Sequence, residues 1–174
     1  MRWLGTMSRA GRVRRWHTLT VLQPEDVAQH SYRCALIARH VAEVFDDVDT
    51  ESLVMYMLIH DVPELGVGDI PYSVKQDPGI HDSLERLEDA WVSKNIPGEL
   101  QSTFRQEGWS QNQKRIAHLA DQVASLMFIQ REVSLGNSEV HNLKSLIEGE
   151  VDAIIDQWDE VTASKVWRRM SDLI

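Results

Sequence analysis

Cysteine is nearly missing from this chain: Cys34 is the only one in 174 residues. That excludes a disulfide framework and any zinc site built from several thiolates, and it fits a reducing compartment. Glycine, with nine residues, and proline, with five, are scarce, which removes collagen-like, fibrous and low-complexity classes. No run of about 18 apolar residues occurs, so no transmembrane helix is expected. The opening Met-Arg-Trp-Leu-Gly-Thr-Met has no continuous apolar stretch of signal-peptide length, and neither secretion nor membrane insertion is expected. Positive charge is also short, with 18 Lys and Arg against 27 Asp and Glu and a formal net charge of −9. A nucleic-acid polymer is therefore a poor candidate partner, since its phosphates call for an excess of Lys and Arg.

What is present suits one hydrophobic core. Apolar residues make up 43% and charged residues 26% of the chain, close to a soluble globular average, and the length is that of one domain, taken as 1–174. The few cations are concentrated: Arg2, Arg9, Arg12, Arg14 and Arg15 all fall in the first fifteen residues. Such an arm either meets phosphate or is simply solvated, and composition does not choose.

Helical periodicity dominates the rest. From Pro24, PEDVAQHSYRCALIARHVAEVF opens with Pro and two acids and then repeats apolar residues at Val27, Cys34, Ile37, Ala38, Val41 and Phe45, the signature of a long amphipathic helix. A second helix starts near Thr50, an N-cap candidate, and runs through SLVMYMLIHD; apolar on all sides, it reads as buried. VPELGVGDIPYSVKQDPG, with three Pro and three Gly, reads mostly as loop with one helical turn near 63–65. Further helices are expected over about 80–95 and 97–106, with Pro97 at the favoured first position. A Ser-capped helix should follow through KRIAHLADQVASLMFIQREV to Gly136-Asn137, then two more over about 139–158 and 162–173. No stretch alternates with period two, so the fold class expected is all-α, a bundle of about six to seven helices.

Four side chains interrupt apolar helical surroundings where a bare polar group is costly: His30, His60, Asp61 and Asp121. Each alone is more often a paired core or cap residue. Together they supply two imidazoles and two carboxylates, a set suited to one divalent ion such as Mn²⁺, Co²⁺, Fe²⁺, Zn²⁺ or Mg²⁺, with positions left open for water and a substrate oxygen.

The order His30, then His60-Asp61, then Asp121 resembles the H…HD…D signature of the HD-domain phosphohydrolases. Within that superfamily the chain is similar to the YfbR-type 5′-deoxynucleotidases and their short phage relatives, which are dATP-directed triphosphohydrolases. The resembling stretches are SRAGRVRRW at 8–16, PEDVAQHS at 24–31, HDVPELGVGDIPYSVK at 60–75, KRIAHLAD at 114–121 and LGN at 135–137. The resemblance implies a compact HD-domain helical bundle in which His30, His60, Asp61 and Asp121 ligate the metal, Glu64 helps activate water, and Asp69 is a general acid or water-orienting group. It implies that Arg15 reaches phosphate, that Trp16 packs near the sugar 2′ position, and that Lys75 and Lys114 neutralise phosphate oxygens. The bland readings are a helix-start acid for Glu64, a turn residue for Asp69, a core indole for Trp16 and solvated cations for the lysines. One departure is Asp69-Ile70-Pro71-Tyr72-Ser73-Val74-Lys75, where the family commonly reads Asp-Leu-Pro-Thr-Pro-Val-Lys; the new Tyr72 bears on the nucleoside pocket wall and on base preference.

The implied reaction is attack at the α-phosphorus of a deoxynucleotide, releasing deoxynucleoside with phosphate from a dNMP or with triphosphate from a dNTP. A triphosphate would leave room for a second ion. The resemblance further implies a homo-oligomer, a dimer or larger, in the cytoplasm of a bacterium or of a phage-infected host. Two rivals remain: an alarmone-directed HD hydrolase, which normally carries a further Glu-Asp pair, and a catalytically inactive HD domain serving as nucleotide sensor or oligomerisation module, which would normally have lost a ligand.

Overall fold

Local signals place most helix starts within a residue or two of their expected positions. The computed structural model describes residues 2–75, 77–171 and 173; the side chains of Arg2, Tyr72, Ser73, Pro78 and His81 lie outside that description. Ten α-helices occur among the described residues: α1 (Arg2–Met7), α2 (Val27–Ala42), α3 (Thr50–Ile59), α4 (Glu64–Val67), α5 (Tyr72–Lys75), α6 (Pro78–Asn95), α7 (Gly98–Phe104), α8 (Gln111–Ser134), α9 (His141–Ile155) and α10 (Glu160–Met170). Seven of them, α2, α3 and α6 to α10, have seven residues or more and correspond to the helices read from periodicity. No strand occurs among the described residues, only an isolated antiparallel bridge between Arg14 and Asp26.

The caps show what starts each helix. At α2 the Asp26 carboxylate accepts from Gln29 N at 2.9 Å while the Gln29 side chain accepts from Asp26 N, a reciprocal capping box. Pro24 and Glu25 therefore lie outside the helix, which frees Glu25 for another task. Asp49, rather than Thr50, caps α3, and Ser110 caps α8 as its sequence suggests, accepting from Gln113 N at 3.1 Å. Pro97 is the N-cap of α7, one residue earlier than expected. The Pro- and Gly-rich 62–79 segment holds two short helices, α4 and α5, instead of one turn. The final helix stops at Met170; residue 172, inside the expected span, lies outside the described residues.

Packing follows periodicity. The inner faces of α2, α3, α8 and α9 meet in one cluster that includes Cys34, Ile37, Val41, Leu53, Met57, Leu119, Val123, Ile129 and Ile155, closed by Val166 and Met170 of α10. A second cluster joins Ile59 and Val62 to Val92 and Ile96, with Trp91 and Leu65 packed against it. His60 and Asp61 thus fall at the seam between two clusters. Helix α3 is not buried all round: Leu58 is 43% exposed while Leu53, Met57 and Ile59 are buried. It packs on α2, α7 and α8, and the stripe that holds Leu58 is left in solvent, so its apolar character overstated its burial.

Gly66 sets how closely α4 approaches α6, because a Cβ there would overlap the indole of Trp91. Gly66→Ala should therefore cost about 1–3 kcal/mol through overpacking, measured from the midpoint of denaturant unfolding; a variant as stable as its parent would rule out this close approach.

Candidate metal and phosphate site

The four expected ligands converge although 91 residues separate the first from the last. His30 and Asp121 come from the facing surfaces of α2 and α8, with His30 Nε2 2.8 Å from Asp121 Oδ1. His60 is the C-cap of α3 and Asp61 sits in the turn just past it. Asp61 Oδ1 lies 3.3 Å from His60 Nε2, and Asp61 Oδ2 lies 3.6 Å from His30 Nε2. The His60 Nδ1–H donates to Met57 O at 2.9 Å, which leaves Nε2 with a bare lone pair aimed at the cluster, buried and without a hydrogen-bond partner. Cys34, one turn after His30, adds its Sγ 3.3 Å from His30 Nε2.

Charge is balanced from one side by Arg15. Its Nη1 donates to Asp61 Oδ2 at 2.7 Å. Burial pulls the guanidinium pKa down, but Asp61, Asp121, Glu64 and Asp69 together raise it. Burial likewise opposes ionisation of Asp121, yet the His30 hydrogen bond and the surrounding cations hold its carboxyl below the usual range. His30 is lowered by burial and then by Arg15, so its imidazole is neutral, the form a metal requires. Burial pushes the Cys34 thiol up, and Asp121 and Asp61 add to the effect.

Glu64 opens α4 and is 3% exposed. Burial first and Asp61 second push its carboxyl up to about 9, against the pull of Lys75. Lys75 Nζ reaches Glu64 Oε1 at 3.3 Å, while Glu64 Oε2 has no partner. Asp69 follows Gly68, whose φ of 81° suits glycine, and its Oδ2 lies 3.5 Å from His17 Nδ1.

These groups border a cavity of about 920 Å³. Arg15, Asp61, Asp69, Lys75 and Asp121 form one wall, and Leu143, Leu146 and Ile147 of α9 contribute an apolar stretch opposite in character. Trp16 lies alongside, its ring parallel to Phe128 with centroids 5.5 Å apart. Lys114 is exposed at the start of α8 and does not line the cavity; His118, Gln122 and Ser125 do. The spacing of His118 and Ser125 from Asp121, at i−3 and i+4, puts them near it on the same helix face, a signal available in the sequence; that of Gln122, at i+1, does not. Tyr72 begins α5, but its side chain, expected to alter the pocket wall, lies outside the described residues.

Sequence reasoning missed the residue that aims the Arg15-Trp16 pair. Glu25, 1% exposed, accepts from Trp16 Nε1 at 2.7 Å, lies 3.6 Å from Arg15 Nε, and is paired with Arg33. Backbone bonds from Arg15 N to Glu25 O and from Val27 N to Val13 O fasten the arm against the start of α2. Trp16 itself has φ 59°, a left-handed conformation uncommon for a bulky residue and kept only where surroundings enforce it. Farther along, buried Glu132 accepts from Leu22 N, Gln23 N and Asn137 Nδ2 at 2.6, 2.9 and 2.9 Å, pinning the loop between the arm and α2.

The family model described as YfbR-like 5′-deoxynucleotidase matches residues 2–163. Proteins named 5′-deoxynucleotidase from Yersinia pestis and Yersinia pseudotuberculosis are 26% identical over 155 residues, covering 82% of this chain and 79% of theirs. Among solved structures, the HD phosphohydrolase DatZ of cyanophage S-2L, bound to dA and one catalytic Zn²⁺ ion, superposes with a TM-score of 0.79 at 15% identity, covering 97% of this chain and 94% of that one. An HD-domain phosphohydrolase from Listeria innocua gives 0.74 at 24% identity, covering 97% and 85%. These structural likenesses place the chain in the all-α HD fold. Among the described residues no helix is long and apolar enough to cross a membrane.

Replacing Glu25 by Gln removes a buried carboxylate from between two guanidinium groups. The expected loss of stability is about 3–5 kcal/mol, the usual result of breaking a buried ion pair by removing one partner. Denaturant unfolding checks it, and a change under about 1 kcal/mol would show that Glu25 is not what holds the arm.

Proposed function

Because the chain belongs to the YfbR-like 5′-deoxynucleotidase family, we propose that it is a metal-dependent phosphohydrolase that removes the 5′-phosphate of a 2′-deoxynucleoside monophosphate. The observation that carries this reading is the meeting of His30, His60, Asp61 and Asp121, two of which, Asp61 and Asp121, line a cavity that also has an apolar stretch. Those four residues would hold one divalent ion, and the bare buried Nε2 of His60 suits a cation. The bound ion would supply Lewis-acid polarisation of a phosphate oxygen and lower the pKa of water.

The chain's own residues account for the rest. Arg15 presents a planar fork of donors to phosphate oxygens, and Lys75 adds a point charge beside it. Glu64, with one oxygen on Lys75 and the other without a hydrogen-bond partner, is placed to orient water. Asp69 borders the cavity, where it would take the proton given up by the attacking water and return it to the 5′-oxygen as the phosphorus–oxygen bond breaks. Water thus adds hydroxide to phosphorus and a proton to the leaving deoxynucleoside. Trp16 offers a flat wall that would exclude a 2′-hydroxyl if the sugar lies against it, and Leu143, Leu146 and Ile147 would receive the nucleoside.

The supply of cations favours a monophosphate over a triphosphate. Of the early arginines, Arg9, Arg12 and Arg14 are exposed, and among the described residues Arg15 alone of them lines the cavity. Among the described lining residues Lys75 is the one lysine, and Asp69 borders the same space.

Metal-stripped protein incubated with each dNMP, NMP and dNTP, and with Mn²⁺, Co²⁺, Zn²⁺ or Mg²⁺ in turn, should give phosphate and deoxynucleoside from dNMPs only when metal is present. Triphosphate released from dATP alone would replace this substrate with the triphosphohydrolase reading, and no product under any condition would leave the sensor reading. Asp69→Asn should lower kcat by about 10²–10⁴-fold, the usual worth of a general acid or base, without changing the fold by circular dichroism. Trp16→Ala should raise activity on NMPs relative to dNMPs; an unchanged ratio would remove Trp16 from sugar selection.

A further inference from the structure

Cys34 is a buried thiol beside the site that the proposed reaction does not use. It is 0% exposed and sits one helical turn after His30, where an aliphatic side chain would satisfy the core equally well. Its sulfur is set apart by where it points: His30, Cys34, His60 and Asp121 each offer one donor atom, and these four atoms all lie within 4.8 Å of one another. An independent observation marks the same spot. The His60 side chain is 10% exposed, its Nε2 has no hydrogen-bond partner, and it faces Asp61 Oδ1 at 3.3 Å. With Nδ1–H committed to Met57 O, a lone pair there confronts a carboxylate oxygen away from water, an arrangement that a cation between them would relieve.

We propose that Cys34 is itself a ligand of the ion, its thiolate joining the imidazole and carboxylate donors. The proposal rests on the metal-dependent reading above. For bonds of about 2.3 Å to sulfur and 2.0–2.1 Å to nitrogen, two donors on one ion subtending about 90–110° lie roughly 3.1–3.6 Å apart. Cys34 Sγ and His30 Nε2 are 3.3 Å apart. Charge also closes: Asp61, Asp121 and the thiolate carry three negative charges, against a divalent ion and the Arg15 guanidinium paired to Asp61. Coordination breaks the S–H bond, forms a metal–sulfur bond and sends the proton to solvent, with no change of oxidation state. A thiolate among the donors shifts preference toward zinc and cobalt and away from magnesium.

Cobalt substitution of the full chain tests this without reference to activity. Cys34 is the only cysteine, so a near-ultraviolet thiolate-to-cobalt charge-transfer band in the wild-type protein can come from nothing else. The expected result is that band at one cobalt per chain, with complete loss of the band and retention of the cobalt in Cys34→Val and Cys34→Ser. Cobalt bound without the band, or a band that survives in either variant, would overturn Cys34 ligation while leaving the metal site standing. Failure of the wild-type chain to take up cobalt, zinc, manganese or magnesium by equilibrium dialysis would overturn the metal reading and this proposal together. Since the wild-type spectrum alone can refute the proposal, a variant that did not fold would not shield it.

Discussion

Negative charge buried at the seam of two hydrophobic clusters is the constraint around which this protein is built. Asp61, Asp121, Glu64 and Asp69 all bear on the Arg15 guanidinium, and the protein supplies few cations to match them. Isolated buried carboxylates are costly, so each must be paired, hydrogen-bonded or protonated. All three solutions occur: Asp61 pairs with Arg15, Asp121 takes a hydrogen bond from His30, and Glu64 is pushed toward its neutral form. A divalent cation would answer the same requirement for several groups at once, so a metal site and a strained electrostatic arrangement are here one feature seen in two ways.

The dependence on Arg15 explains why so much buried polarity is spent on an otherwise exposed arm. Residues 13–15 hang on two backbone bonds to the start of α2, and the guanidinium would be free to leave Asp61 without a second anchor. Glu25 supplies it, holding Arg15, Trp16 and Arg33 together. Glu132 and Asn137 perform the corresponding task for the loop beyond, since Asn137 Nδ2 also donates to Thr20 O at 2.9 Å. The cation that balances the site is thereby fixed by contacts made 9 to 117 residues away along the chain.

Those separations also decide what the sequence could disclose. Helix periods, the Ser110 cap and the absence of strands follow from neighbours within a turn, and they were legible. So was the grouping of His30, His60, Asp61 and Asp121, because a spaced pattern of rare polar residues on apolar helices carries meaning before any coordinates do. Glu25 was not legible: beside Pro24 it looks like an acid at a helix start, and only tertiary contact with Arg15 and Trp16 shows otherwise. Leu58 erred in the opposite direction, since hydropathy reports a preference for burial and packing decides whether it is met. Cys34 could be read as core and is core; its i+4 place on α2 puts its sulfur beside His30, and the packing of α2 against α3 and α8 brings it near His60 and Asp121 as well. Lys114 belongs to a matching motif, yet its place on the exposed face of α8 keeps it from the cavity.

Division of labour within the cavity follows from the same geometry. Most charged groups come from the arm, the α3 turn, the loop before α5, α5 and α8, while the apolar stretch comes from α9, which adds Glu150 to the lining and carries none of the expected ligands. A deoxynucleotide is divided in the same way, with phosphate at one end and a base at the other, and about 920 Å³ is within the range of pockets that enclose ligands of that size. The join between the two halves is the sugar, and in the proposed reading Trp16, which lines the cavity, would stand beside it. Three restraints act on it: the Glu25 hydrogen bond, the stack on Phe128 and the Arg15 guanidinium 5.6 Å from its ring. A residue held in a left-handed conformation against its own preference cannot easily move aside for one extra oxygen. Rigidity of Trp16, rather than any attraction to the deoxyribose, is thus the physical basis on which a 2′-hydroxyl would be refused.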